Sequence, residues 1–404
     1  MQASGNYISY TKTLEYEPQS IFLECGQAAR ICVELKKLGT HRILVMGRED
    51  NLKGKNVTDF INKLVETGFK VLNYHITQRY SSSSDIVAAA DDYWSYNCDT
   101  IVVIGGGADI FCAKMVSAMV LNKMKNPADM EGYGKIRNDI SVLCCVAMDN
   151  STSISSNVAE FRDEGTGKWV TVLSNYLVPQ IAVVDTDIGM RTFTQISISS
   201  AFDSLAMGIE SCLSPASEFD PAYKACAQNA ISLVVDNVLK MKEQPDDGFL
   251  RKKITVAGIY AGMAVRMSGF GYSHLTVHAL KSRLGPEFGK FYCRILLRFL
   301  KESFELTKPK LAEIYNMLVK DEVRPGYPVM NGSPEPLYSV DAAAHALLDL
   351  LNALYKEAIN NEPPFPKISE KDIKEVCLEV KSEAEKFGLL RFDEELITRT
   401  LERI

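Results

Sequence analysis

The chain has 404 residues, of which 46% are hydrophobic and 24% charged, and carries a net charge of −6. Such a composition suits a globular protein with room for two or three domains and large buried cores. It excludes a nucleic-acid binder, for want of a long basic run, and a membrane-spanning chain, because the apolar runs are short and interrupted.

The opening residues, Met1 to Tyr7, lack the basic and apolar regions of a signal peptide, and the expected location is cytoplasmic. Ten cysteines are scattered with one adjacent pair, Cys144-Cys145, and no Cys-x-x-Cys. They read as reduced, mostly buried thiols.

From Tyr7 to about Asp187 strand and helix alternate. A helical stretch from Gln27 to Lys37 precedes the β-rich run His41 to Gly47. A helix over 56–68, with Val57, Phe60, Ile61, Leu64 and Val65 apolar, leads to the strand Lys70 to His75. A third helix, Ser84 to Asn97, leads to the strand Thr100 to Ile104. Strands separated by helices of this length predict a parallel, doubly wound sheet. His41 and His75 flank these strands and read as structural or surface residues.

Gly105-Gly106-Gly107-Ala108-Asp109 follows the third strand and opens a helix running to Asn122. Such a turn lets backbone N–H groups approach a phosphate at a helix N-terminus, although a plain tight turn has the same composition. After the strand Ser141 to Met148 comes Asp149 to Ser156, with five hydroxyl side chains in eight residues, suited to a pyrophosphate or to capping a helix. Two further strand signals, Lys168 to Val172 and Gln180 to Asp185, close this half.

Beyond Asp187 helical periodicity takes over, with helices predicted at 196–213, 221–242, 250–266, 271–284, 290–306, 308–319, 339–359, 369–386 and 393–403. Proline-rich breaks fall at 324–336 and 363–366. The predicted organisation is therefore an α/β domain, 1–188, with a Rossmann-like parallel sheet, followed by an all-helical domain, 189–404. His345 reads as a core or near-core helix residue.

The helical half carries Gly269-Phe-Gly-Tyr-Ser-His274-Leu-Thr-Val-His278, which stacks two imidazoles on one helix face, one turn apart. Upstream, Asp203 and Glu210 stand seven apart on a second helix. Acids on one helix facing paired histidines on another is how a bundle builds a metal or proton-transfer site, and two satisfied structural histidines would show the same spacing.

Together these residues resemble the iron-containing alcohol dehydrogenase superfamily over nearly the whole chain. Gly105-Gly-Gly-Ala108, Lys114, the 149–158 loop, Asp185, Asp203-x-Leu-x-x-x-x-Glu210 and Gly269-x-Gly-x-x-His274-x-x-x-His278 fall in the family's order. The resemblance implies a dinucleotide-binding domain (1–188) holding NAD or NADP. It also implies a helical domain holding a divalent metal, iron or zinc, on one aspartate and three histidines. By position Asp203 and His274 match two ligands, while Met207 and Phe288 stand at the other two. A phenyl ring cannot coordinate and a thioether is a poor donor to these ions, so an absent or atypical metal is expected. Cys293 lies nearby in sequence as a conceivable substitute.

The cofactor positions carried over are Gly47, Arg48, Gly105, Gly106, Gly107, Ala108, Ser151, Thr152 and Lys168. Phe111 replaces an aspartate that faces the nicotinamide in relatives, and Gly47-Arg48 replaces one that accepts from the ribose 2′-hydroxyl. A guanidinium there suits a 2′-phosphate, which favours NADP over NAD; a solvated loop arginine fits the sequence equally. With the metal absent, His278 or Tyr272 is the expected proton donor, and Lys281 and Arg283 would favour an anionic substrate if they face the cleft.

The function these residues imply is NAD(P)-dependent interconversion of a small alcohol and its aldehyde or ketone, by a homo-oligomer, most simply a dimer. The alternatives are a non-redox enzyme, as in the similar dehydroquinate synthase group, or a catalytically silent nucleotide-binding subunit.

Overall fold

The computed structural model describes residues 19–23, 26, 28–137, 139–148, 152–185, 194–319, 339–359, 364–386 and 392–404. Elements are numbered in chain order among these residues. The first half runs β1 (Ser20–Phe22), α1 (Ala28–Lys37), β2 (Arg42–Arg48), α2 (Glu49–Leu52), α3 (Lys55–Glu66), β3 (Lys70–Ile76), α4 (Ser83–Ser95), β4 (Thr100–Gly105) and α5 (Gly107–Asn122). It continues with β5 (Gly132–Tyr133), β6 (Val142–Ala147), β7 (Val158–Arg162), β8 (Trp169–Leu173) and β9 (Ile181–Val183).

Six strands form one parallel sheet in the order β1-β9-β6-β4-β2-β3. Its central strands are unbroken apolar runs because helices cover both faces. On one face Leu44, Met46, Ile101, Val103, Leu143 and Cys145 pack with α4 and α5; on the other Ile43, Val45, Val102, Ile104, Cys144 and Val146 pack with α1 and α3. The adjacent cysteines thus point to opposite faces of β6. The chain leaves β2 for β3 on one side, then returns to place β4 on the other, so the order reverses between β2 and β4. Ligands of open α/β sheets bind in the crevice at the carboxyl end of such a reversal.

Two strand readings need correction. The run 168–172 does not join the parallel sheet: β8 forms a separate three-stranded sheet, β5-β8-β7. Its antiparallel partner β7 pairs Glu160 with Thr171 and Arg162 with Trp169. The sequence showed β7 only as the tail of a hydroxyl-rich loop, since Val-Ala-Glu-Phe-Arg is too short and mixed to announce a strand.

The second half comprises α6 (Thr194–Leu213), α7 (Pro221–Glu243), α8 (Gly248–Ser268), α9 (Tyr272–Leu284), α10 (Tyr292–Glu302), α11 (Phe304–Val319), α12 (Val340–Ala358), α13 (Glu370–Lys386) and α14 (Glu394–Glu402). The single helix expected over 290–306 is instead a 3-10 turn, Pro286–Phe291, then α10, with α11 restarting at Phe304. The break falls at Ser303, whose hydroxyl back-bonds to the Phe299 carbonyl at 2.8 Å. His345 is exposed rather than buried, with its ring stacked on Phe304 at 4.3 Å. The expected boundary at 188 falls within 186–193, outside the described residues. Among the described residues no helix is long and apolar enough to cross a membrane.

Candidate active site

At the β2–β4 reversal the glycines are dictated by space. A Cβ on Gly47 would lie 2.7 Å from the Ile104 carbonyl oxygen and 2.9 Å from Leu52 Cδ2. A Cβ on Gly105 would lie 2.1 Å from Asp109 Oδ2. That carboxylate folds back over the turn, accepting from the Gly106 N–H at 3.0 Å, and its other oxygen sits 3.5 Å from Arg48 Nε. Burial pushes the Asp109 carboxyl up, against the pull of Arg48 and the Gly106 N–H. Gly107 and Ala108 form the first turn of α5, so their N–H groups point out of the helix end. Gly47, Arg48 and Gly105 to Ala108 are therefore brought together. Asp109 was missed as a site residue, although an acid at the third position of a helix is a readable capping signal.

The hydroxyl-rich loop serves packing in its described part. The Thr152 carbonyl accepts from the Ser155 and Ser156 N–H groups, and Ser155 Oγ donates to the Ile259 carbonyl at 2.7 Å. A Cβ on Gly262 of α8 would lie 2.2 Å from Ser155 Oγ, so that helix and this loop touch backbone to backbone. Lys114, fully buried, donates to the Ser156 and Val158 carbonyls at 2.6 and 3.0 Å. Ser151 lies outside the described residues. Lys168 is exposed on the turn joining β7 to β8.

On the helical side, Gly271 caps the start of α9, and a Cβ there would meet Glu210 Oε1 at 2.3 Å. Glu210 accepts from the Ser273 N–H at 2.8 Å and the Tyr292 hydroxyl at 2.6 Å. The acid on α6 therefore caps the helix that bears both histidines. Asp203 is half-buried on the same helix.

His274, His278 and Lys281 form an i, i+4, i+7 stripe on α9. It faces one side of the β7–β8 pair, where Glu160, Thr171 and Trp169 share a face because directly paired residues do. His274 Nε2 lies 3.1 Å from Glu160 Oε1, and Lys281 Nζ lies 3.1 Å from Glu160 Oε2 and 4.3 Å from the Trp169 ring centroid. His278 Nε2 lies 3.0 Å from Thr171 Oγ1, and its Nδ1 lies 2.6 Å from Glu383 Oε1 of α13, out of line for a hydrogen bond. Burial works against the imidazolium of His278, but Glu383 outweighs it and the net shift is upward. Burial also works against ionised Glu160, yet Lys281 and His274 hold it well below the usual carboxylate range. Glu160 was missed by sequence reasoning, because its segment announces no strand and nothing beside it marks an acid that will meet a histidine.

The remaining expected residues stand elsewhere. Tyr272, about 200° round α9 from His274, turns to Phe299 of α10 with ring centroids 6.0 Å apart rather than joining His278. Arg283 pairs with Glu375 and Glu379, and Lys281 with Glu160, so neither is an unpaired cation awaiting an anionic substrate.

Two family models match the chain. The iron-containing alcohol dehydrogenase model covers residues 18–186, and the C-terminal model of the Fe-containing alcohol dehydrogenase family covers 197–378. The chain belongs to the iron-containing alcohol dehydrogenase family.

Among curated relatives, the NAD-dependent methanol dehydrogenase of Bacillus methanolicus is 21% identical over 65% of this chain and 68% of its own. Alcohol dehydrogenase 4 of Schizosaccharomyces pombe is 25% identical over 53% of this chain and 50% of its own. The chain thus spans about half to two thirds of the length of these relatives. Among solved structures, a 1,3-propanediol oxidoreductase superposes with a TM-score of 0.83 at 17% identity, covering 97% of this chain and 100% of that one. An alcohol dehydrogenase from Oenococcus oeni superposes at 0.82 with 18% identity, covering 96% and 99%. At such identities these superpositions speak for the fold.

The family's name carries a metal, and the residues at the four ligand positions do not fit one. Phe288 is buried in an aromatic cluster, its ring 6.2 Å from that of Phe291 and 5.9 Å from that of Phe365. Met207 packs against the helical core. Among the described residues no group of three His, Cys, Asp or Glu side chains is arranged to hold an ion, and Cys293 is buried on α10 without adding one.

Proposed function

We propose that this protein is an NAD(P)-dependent oxidoreductase that interconverts a small alcohol and its aldehyde or ketone. The observation that carries the reading is the tight glycine turn at the β2–β4 reversal, where neither Gly47 nor Gly105 has room for a Cβ and α5 starts. Those residues fit a nicotinamide dinucleotide. The Gly107 and Ala108 N–H groups would hold its pyrophosphate, while the cofactor, when bound, supplies or accepts the hydride. Arg48, turned to Asp109 through Nε, leaves its terminal nitrogens for a 2′-phosphate, so NADP is preferred over NAD.

His278 is the acid in this reading. Glu383 favours its protonated form, and its Nε2 proton lies within reach of the Thr171 hydroxyl at 3.0 Å, which would donate its own proton to the substrate's carbonyl oxygen as hydride reduces the carbonyl carbon. The substrate is a small neutral carbonyl compound, because Lys281 and Arg283 are already matched by carboxylates. The active species in this reading is a homo-oligomer, most simply a dimer.

A second reading, a silent nucleotide-binding subunit, is favoured by one observation: His278 is only 2% exposed and both its nitrogens meet protein groups. The experiment is NADPH and NADH binding by fluorescence, followed by aldehyde-dependent NADPH oxidation. Turnover lost in His278→Gln with NADPH affinity kept supports the enzyme. Binding without turnover on a broad panel of small aldehydes and ketones supports the silent subunit. Binding of neither nucleotide overturns both. Arg48→Ala should weaken NADPH at least tenfold more than NADH, about 1.4 kcal/mol.

A further inference from the structure

Glu160 and Lys281 do more than satisfy each other. The Glu160 carboxylate, 6% exposed, divides its two oxygens between the ammonium of Lys281 and Nε2 of His274, each at 3.1 Å. Paired with an ammonium, it is a carboxylate and can only accept. His274 Nε2 must therefore carry a hydrogen, and that nitrogen has no lone pair to offer a metal. The ring is held in place as well: it stacks on Phe270 at 3.9 Å with the planes 2° apart, and meets the edge of Tyr292 at 5.4 Å.

We infer that Glu160 and Lys281 replace a divalent ion at this locus, forming an internal ion-pair clasp that joins the β7–β8 hairpin to α9 and commits His274 as a hydrogen-bond donor. The clasp does by side chains what a shared metal does in a bundle, tying two elements distant in sequence. It spans 114 residues between Glu160 and His274 and 121 between Glu160 and Lys281. It also withdraws Nε2 of the one retained histidine from any ion, and Met207 and Phe288 add no good donor beside it.

The test is read without activity. Long-range proton–nitrogen correlation spectra of the full chain, labelled on histidine, should show Nε2 of His274 protonated at neutral pH. Cobalt(II), added after chelator treatment, should give no saturable visible band and no shift in thermal midpoint. Lys281→Met should lower the midpoint by several degrees, equally with and without chelator. A bare Nε2, or a one-equivalent cobalt band that His274→Ala removes, would overturn the inference. So would an unchanged midpoint in Lys281→Met.

Discussion

The Glu210 carboxylate accepts the Ser273 N–H at 2.8 Å, so the helix that carries the acid closes the amino end of the helix that carries the histidines. Glycine at 271 is what permits the approach. Glu210→Ala should leave that N–H and the Tyr292 hydroxyl buried without acceptors, at a cost of about 2–4 kcal/mol. Burial pushes this carboxyl up, although the Tyr292 hydroxyl pulls the other way, so Glu210→Gln, which keeps an oxygen, should lose less than about 1 kcal/mol. Denaturant midpoints of the two variants decide it, and equal losses would contradict the cap.

At the glycine turn the two smallest possible changes should separate stability from binding. Gly105→Ala displaces Asp109 and uncovers the Gly106 N–H, and is expected to weaken NADPH about tenfold. Gly47→Ala meets a backbone carbonyl that cannot give way, and should cost about 1–3 kcal/mol of stability. Fluorescence titration and thermal unfolding are the measurements.

Lys114 should be visible in the pH dependence of folding. Burial pulls its ammonium down to about 7, against an unfolded value of about 10.4. The folded chain then holds fewer protons than the unfolded chain between these limits, so the contribution to stability rises with pH across the window. It amounts to about 3–5 kcal/mol between the two ends. Lys114→Met removes the group, so its stability should climb less than the wild type's from neutral to alkaline pH. Parallel curves would mean that the ammonium stays charged on its two carbonyls.

For His278 the sign is the reverse. Its pKa is raised in the folded state because Glu383 outweighs burial. The stability it brings is complete below the unfolded value of about 6.5 and disappears as pH rises through the folded one. The gap between wild type and His278→Gln should therefore be wider in mild acid than in alkali. A gap that stays constant would leave Glu383 without influence on this imidazole.

How much of this was legible beforehand follows from what each residue depends on. The parallel sheet was readable because covered strands are continuous apolar runs, as in Thr100 to Gly105, and the glycine turn because strand, glycines and helix follow one another directly. The Glu210 pattern and the histidine pair could be read as spacings but not as roles. Glu210 belongs with acids near a metal by its position and proves to be a helix cap by its contacts. Tyr272 looked like a donor from its place in the motif, but the helix turns it away.

By itself the sequence determined the family, the alternating and helical halves, and the loss of donors at Met207 and Phe288, since each depends on residue identity and short-range periodicity. Only the tertiary structure decided that Glu160 meets His274 and Lys281, that Glu383 meets His278, and that Asp109 closes the glycine turn onto Arg48. The first two meetings join residues about a hundred or more positions apart. Local pattern fixes which face of an element is polar, while packing alone fixes which polar face it meets.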